Sequence, residues 1–313
     1  MSIHYFRFTF HDSADRQSCR SLEGLLARAD GSHEVANWRS DAFRILAPQA
    51  GSVPGVGAAA LLGQCGTPAH GTPPTAATVY MATPVHYVAE MSNVRLPADG
   101  VITLERPEAE KLSADFNRVW GDAGLRLVRG RHADLFCVID HSPAATTRDP
   151  VDVLGRHIGD YLPTGEGAPR LRQLMSEIEM WLFEHEMNRR RAADAVPLMN
   201  GLWLWGGGAA LQSLPRIEGW TAGEDPLFSA WAEGAGSRLP LAATSGVAVF
   251  AAQPGTAAWR DMELNWLQPS LKALRSGRIE RLDISAGHRC FSVGAAWRWR
   301  FWRRRRPWWE SFA

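Results

Sequence analysis

The sequence predicts an α/β protein, and three observations carry that expectation. Short apolar runs such as ADLFCVID and SGVAVFAA alternate with segments of helical spacing such as Pro107 to Trp120. Clusters rich in glycine and proline separate them, GTPAHGTPPT being the densest. With 313 residues and 45% hydrophobic content, the chain can bury one large core or two smaller ones.

Composition bounds the function. A net charge of +1 gives no global field to draw nucleic acid or acidic substrates. The four cysteines, Cys19, Cys65, Cys137 and Cys290, lie far apart with no CxxC or Cys/His spacing, so a structural zinc site is not expected. MSIHYFRFTFHDSADR has no basic segment followed by an apolar core, as a signal peptide would. Residues Ile45 to Ala89 carry no Asp, Glu, Lys or Arg but are too rich in Pro and Gly for a spanning helix. The expectation is a soluble cytoplasmic protein.

His4 to Phe10 alternates in character and reads as a first strand, with Tyr5, Arg7 and Thr9 on one side. SLEGLLARA is a short helix with Ser21 as a plausible cap, and NWRSDAFRILA a second helix ended by Pro48. AGSVPGVGAAALLGQCG reads as loop, short apolar segment, loop. ATVYMATPVHYVA reads as strand, turn, strand. Pro107 to Trp120 is a helix whose face is Leu112, Phe116 and Val119, with Pro107 in its first turn. GLRLVRG and ADLFCVID are strands. HSPAATTRDPVDVLGRHIGDYLPTGEG is a connection long enough to act as a lid. After Pro215 come a short helix in DPLFSAWAEGAG, the strand SGVAVFAA, and helical AAWRDMELNWLQPSLKALRSG, interrupted at Pro269 and capped by Gly277. RIERLDIS and CFSVGA form a hairpin.

The stretch Glu177 to Gly208, EIEMWLFEHEMNRRRAADAVPLMNGLWLWGGG, organises the rest. A helix beginning near Ala168 carries the apolar stripe Leu171, Leu174, Met175, Ile178, Trp181 and Leu182. Continued by threes and fours, the stripe runs into His185, then Asn188, then Ala192, so two polar side chains stand where apolar ones belong. LMNGLWLW reads as a strand covered on both faces and stops at Gly206, Gly207 and Gly208. Ligands gather beyond the carboxyl ends of strands in open α/β sheets, and successive glycines let amides approach an anion. The alternative is architectural: His185 as a helix cap, Asn188 at the edge of a drifting stripe, GGG as a turn.

HEMN-RR-R followed by PLMNGLWLWGGG resembles the "HPVN…R…PAN-hydrophobic-WLWGQG" segment of archaeal-type cofactor-independent phosphoglycerate mutases, members of the alkaline phosphatase superfamily. It is more similar still to the bacterial RpfE-type regulatory family, in which WLWGGG is usual. The likeness runs from about Thr83 to Pro215 and includes TPVHYVAEMSNVRL, RPEAEKLSADFN and ATTRDPVDVLGR. Glu186 stands where the family has proline, and its "TTPPHD" has become Thr146-Thr147-Arg148-Asp149-Pro150-Val151-Asp152, without the histidine. The resemblance implies a degenerate alkaline-phosphatase-like sheet core in residues 1–82 and 216–313, with a substrate-domain-like α/β region inserted at 83–215. It also implies an anion site: Arg131, Asp152, His185, Asn188, Arg191, Asn200 and the amides of Gly206, Gly207 and Gly208, with Arg129 and His132 nearby and Trp203 and Trp205 as walls.

The resembled enzymes hold a pair of divalent ions (Mn or Mg), with a Ser or Thr attacking phosphorus. An Asp-Gly follows their first strand and an Asp-Glu-Ala-Gly-His lies late. Here the first strand leads to His11-Asp12-Ser13, and the nearest late string is Asp283-Ile284-Ser285-Ala286-Gly287-His288. The expectation is therefore no catalytic residue and no metal: a regulatory protein that binds an anionic metabolite or a protein partner. Two alternatives stand beside it. One is an active mutase or phosphatase with a rebuilt metal site using Asp12, Ser13, Asp283 and His288. The other is an adaptor acting through WRWRFWRRRRPWW, residues 297–309, where Arg298, Arg300 and Arg303 to Arg306 interleave with aromatics. That segment reads as a nucleic-acid surface, as a membrane-surface patch, or as a strand whose tryptophans pack while its arginines snorkel.

Overall fold

The computed structural model describes residues 2–9, 19–65, 76–131, 134–232, 239–240, 244–251 and 256–312. It is a mixed α/β structure with three sheets among those residues. Two compact units divide the chain: Met1–Val53 with Pro215–Ala313, and Pro54–Leu214. The strand that begins at Thr78 takes both its neighbours from the middle unit.

In chain order, the first unit begins with β1 (Ile3–Thr9), α1 (Arg20–Ala27), β2 (Gly31–Glu34) and α2 (Trp38–Leu46). Cys19, not Ser21, is the N-cap of α1; Ser21 instead donates its hydroxyl to Glu263. Asn37 caps α2, its side chain accepting from the Ser40 amide at 3.1 Å.

The middle unit then supplies α3 (Val56–Cys65), β3 (Thr78–Val85), β4 (Val88–Ala89), β5 (Val94–Leu96) and α4 (Arg106–Trp120). It continues with β6 (Leu125–Arg129), β7 (Leu135–Ile139), β8 (Arg156–His157), α5 (Ala168–Glu184), α6 (Glu186–Ala193) and β9 (Gly201–Ala209). α4 starts with a capping box in which Glu105 and Glu108 satisfy each other's backbone amides. The four-stranded sheet runs β6-β7-β3-β9 and every pair in it is antiparallel. α4 and α5 cover one face through Leu112, Phe116, Leu171, Ile178 and Leu182. The other face packs Val79, Met81, Phe136, Trp203 and Trp205 with Ala58 and Leu61 of α3.

Returning to the first unit, the chain forms β10 (Trp220–Gly223), α7 (Pro226–Ser229), β11 (Gly246–Ala251), α8 (Thr256–Met262), a π-helical turn (Glu263–Leu267) and α9 (Gln268–Arg275). β12 (Arg281–Ala286), β13 (Arg289–Gly294), a 3-10 turn (Ala295–Trp299) and α10 (Trp308–Ser311) follow. The sheet order is β10-β11-β1-β12-β13-β2, with β10, β11, β1 and β12 mutually parallel. Alternation gives it two unlike faces. Phe6, Phe8, Leu282, Ile284 and Val293 join the main apolar core with Leu22, Leu25 and Leu274. Tyr5, Arg7, Asp283 and Ser285 lie on the opposite, polar face, all buried. No helix among the described residues is long and apolar enough to cross a membrane.

Candidate functional site

The helix expected to run through His185 breaks there. His185 has extended backbone, φ −68° and ψ 137°, and is at once the C-cap of α5 and the N-cap of α6. Its Nδ1 accepts the Met187 amide at 3.2 Å, which leaves the proton on Nε2, 3.2 Å from the Asp115 carboxylate of α4. The ring also meets Trp181 edge to face, 4.6 Å between centroids. Burial pushes its pKa down, against the pull of Asp115. Burial alone would raise the Asp115 pKa, but Lys111, Arg118 and His185 together hold it low. Glu186, where the resembled family has proline, occupies the first position of α6. An acid there complements the helix dipole.

The neighbouring positions are equally engaged. Asn188, 5% exposed, donates to the carbonyls of Leu182 and Met199, both at 2.7 Å, and accepts the Met199 amide at 2.9 Å. Arg191 donates to the Pro197 carbonyl and to Glu108 Oε1, both at 2.8 Å, tying α6 to the first turn of α4. Asn200 exchanges two bonds with the Tyr87 backbone, at 2.6 and 2.9 Å. Each of these side chains completes backbone hydrogen bonding where helices and strands end.

The glycines stand elsewhere. β9 does not stop at Gly206 but continues to Ala209, so Asn200 and Gly206 are six residues, about 20 Å, apart along one strand. Gly206 adopts φ +65°, and its amide donates to Thr147 Oγ1 at 2.9 Å. A Cβ on Gly207 would lie 2.2 Å from the Tyr80 ring, and one on Gly208 2.6 Å from Gly55 Cα. The run lets backbone and ring approach the strand closely. The sheet is antiparallel, so the rule that ligands gather past parallel strand ends has no application to β9.

Asp152 sits in an exposed 3-10 turn, Pro150–Val153. Arg131 is exposed, and its amide donates to Gln64 Oε1 at 3.2 Å. His132 lies outside the described residues. Trp203 and Trp205 are buried core residues whose indole N–H groups reach the Arg148 carbonyl (2.7 Å) and Thr83 Oγ1 (2.8 Å). The long polar connection expected as a lid is held at several points. Tyr80 Oη accepts the Ala145 amide at 2.8 Å, and Thr146 and Thr164 exchange backbone bonds. Asn200 and the glycines, expected to share one cradle, therefore stand toward opposite ends of β9.

In the first unit, Asp12 and Ser13 lie outside the described residues. Asp283 accepts from Ser292 Oγ at 2.7 Å and from Arg281 Nε at 3.0 Å. Burial raises its pKa, with Ser292 and Arg281 opposing. His288 lies in the turn beyond Ala286, and Asp283 is three residues, about 10 Å, back along the strand. Among the described residues no three His, Cys, Asp or Glu side chains cluster as metal ligands do. At the carboxyl end of β1, Arg7 Nη1 donates to Ser285 Oγ (3.0 Å) and the Gly287 carbonyl (2.9 Å), and its guanidinium lies 5.0 Å from the Trp38 ring. Arg39 stacks on the same ring at 4.7 Å and pairs with Asp225 at 2.8 Å.

The Arg/Trp segment is half docked and half open. Trp297 and Trp308 are buried in the core of the first unit. Arg28 and Arg275 cover the Trp297 ring at 5.7 and 5.1 Å. Arg300 pairs with Asp30 and donates to the Arg28 carbonyl, and Arg303 donates to the Ala29 carbonyl at 2.9 Å. These two arginines cap the C-terminal end of α1. Between α1 and the segment lies an open groove of about 320 Å³, lined by Leu26, Ala27, Arg303, Arg304, Arg306 and Ser311. Arg304 and Arg306 have no partner among the described residues. The groove exists only because the segment lies against α1; the arginine run alone signals charge without a shape.

No protein-family model matches the chain. Over 73 residues, 23% of this chain, it is 40% identical to a 2,3-bisphosphoglycerate-independent phosphoglycerate mutase of Methanothrix thermoacetophila, 18% of which is covered. Over 65 residues, 21% of the chain, it is 42% identical to a probable enzyme of the same name from Geobacter sulfurreducens, 16% of which is covered. The chain has partial relatives among cofactor-independent phosphoglycerate mutases. It matches less than a fifth of either relative's length. A solved cofactor-independent phosphoglycerate mutase of Thermoplasma acidophilum is similar over 93% of this chain and 89% of its own, with 13% identity and a TM-score of 0.35. A Pyrococcus horikoshii protein covers 93% of this chain and 87% of its own, with 11% identity and a TM-score of 0.42.

Proposed function

We propose that this phosphoglycerate-mutase-like protein works by binding anions in a regulatory role and not by turnover. Its anion site, on this reading, is the arginine groove of the first unit and not the glycine end of β9. One observation carries the reading: two guanidiniums without a partner among the described residues, Arg304 and Arg306, and a third held by a carbonyl, Arg303, line one open groove. Guanidinium forks match phosphate and carboxylate oxygens, and like charges converging without a counter-ion favour an anion. Support also comes from the other side of the comparison. His185, Asn188, Arg191 and Asn200 already complete backbone bonds, and Asp283 is engaged by Arg281 and Ser292. The likeness to RpfE-type regulatory proteins agrees with a regulatory role, and the expected compartment is the cytoplasm.

Thermal unfolding with inorganic phosphate and with 3-phosphoglycerate tests this. Both should raise the midpoint, the rise should shrink with added salt, and Arg304→Gln/Arg306→Gln should abolish it. An unshifted midpoint refutes the groove. Mutase turnover that rises stoichiometrically with added Mn²⁺ or Mg²⁺ would refute the non-catalytic reading.

A further inference from the structure

Residues 297–309 hold six arginines and no acid, in a chain whose net charge is only +1, so the rest of the protein is net negative. The segment therefore concentrates a positive field that the whole molecule does not have. Five of its six aromatic residues divide into two groups, and the sixth, Trp309, is half-buried. Trp297 and Trp308 are 4% and 6% exposed and anchor the segment, whereas Trp299, Phe301 and Trp302 are 63%, 72% and 66% exposed. Three large aromatics held outward within four residues, on a backbone fixed by the Arg300 and Arg303 bonds to the end of α1, form an apolar projection.

Resting on the anion-binding reading of the adjoining groove, we infer that this projection is a peripheral docking surface for a bilayer bearing anionic lipids. The aromatics enter the interfacial layer while Arg304 and Arg306 meet headgroup phosphates. The ring geometry favours a bilayer over single-stranded nucleic acid. Stacking needs open ring faces in succession. Here Phe301 and Trp302 meet edge to face, 5.6 Å apart at 80°, so they make one wedge and not two platforms. The guanidinium of Arg298 covers a face of Trp299 at 5.1 Å. Indole and phenyl rings prefer the membrane–water interface, and each arginine held near an anionic surface adds attraction. A wedge of this size gives reversible surface binding, since no spanning helix is needed for it.

Co-sedimentation with vesicles tests the inference, using phosphatidylcholine alone, phosphatidylcholine with phosphatidylserine, and a labelled oligo-dT as rival ligand. The full chain should bind the anionic vesicles, bind neutral ones at least tenfold more weakly, and release as salt rises. Phe301→Ser/Trp302→Ser should lower vesicle affinity at least tenfold yet keep the midpoint shift with inorganic phosphate. Arg304→Gln/Arg306→Gln should lose the phosphate shift and lower vesicle affinity by about fivefold per arginine. Both aromatics are exposed, so an unchanged thermal midpoint without ligand establishes that the wedge variant is folded. A phosphate shift without vesicle binding overturns the membrane inference and leaves the groove standing; loss of both in the full chain overturns both. Vesicle binding indifferent to Phe301→Ser/Trp302→Ser, or oligo-dT binding in place of vesicle binding, also overturns it.

Discussion

Asn188→Ala separates an architectural asparagine from a ligand-binding one. The wild-type amide makes three buried bonds, to the Leu182 carbonyl and to both backbone groups of Met199. After truncation the Leu182 carbonyl keeps the His185 amide at 3.1 Å, but the Met199 N–H and C=O lose the partners the side chain supplied. Each buried group left unsatisfied costs about 1–3 kcal/mol, so the loss should be about 2–6 kcal/mol. Asn188→Asp should destabilise at least as much, because a carboxylate would face two carbonyl oxygens it cannot donate to. Urea unfolding measures the loss. Because the chain has two compact units, the transition is assigned by amide exchange at Met187 and Met199, which should open with the same transition. A loss under about 0.5 kcal/mol, together with disappearance of the phosphate-induced shift, would refute the architectural assignment.

His185→Ala should cost about 1–2 kcal/mol through the lost cap, and His185→Asn should recover part of it because asparagine also caps; equal losses in urea unfolding would contradict the cap. Gly207→Ala should destabilise by about 1–3 kcal/mol, as the new methyl would sit 2.2 Å from the Tyr80 ring; an unchanged midpoint would show that the strand is free to shift. Stability should also fall in acid. Burial holds His4 down at about 4, against its bond to the Thr244 carbonyl, and burial also lowers His185. The unfolded imidazoles take up protons near pH 6.5 before the folded ones do, so this contribution is present above about pH 6.5 and lost as pH falls toward 4. His4 accounts for about 3 kcal/mol at most. Urea midpoints that stay level from pH 7.5 to 4.5 would contradict it.

Much of the fold was legible where one period dominates a segment. The stripe from Leu171 to Leu182 placed α5, and the continuous apolar run from Leu135 to Ile139 placed β7. β2 was missed because GSHE is an exposed four-residue edge with no apolar member. β10 was missed because WTAG is too short for alternation to register. The sequence reads α3 only as a short apolar segment between loops, because its Gly and Ala content carries no stripe; its small residues let the helix pack directly on β3 and β9. The break at His185 was hidden because its apolar spacing continues across it, and only the capping bond to Met187 ends α5 there. Sequence spacing also cannot tell which end of a strand a side chain serves. Asn200 and the glycines are close in sequence, yet extended geometry separates them by about 20 Å.

The positions that carry the family likeness do not by themselves distinguish a mutase from a non-catalytic relative. His185, Asn188, Arg191 and Asn200 each satisfy backbone groups at a helix end or a strand end, and a protein that had lost its reaction would still need those bonds to fold. Retaining them therefore predicts the fold of the middle unit and leaves chemistry open. The discriminating residues are the ones a folded chain could discard at no loss of stability: carboxylates and imidazoles that face an ion and nothing else. Asp283 is not of that kind, since Arg281 and Ser292 hold it. Arg304 and Arg306 are, in the opposite sign: no contact within the described residues requires them. Replacing them should leave unfolding unchanged and remove anion binding, whereas replacing Asn188 or Arg191 should do the reverse. That crossed pattern would separate residues held by the fold from residues kept for a ligand.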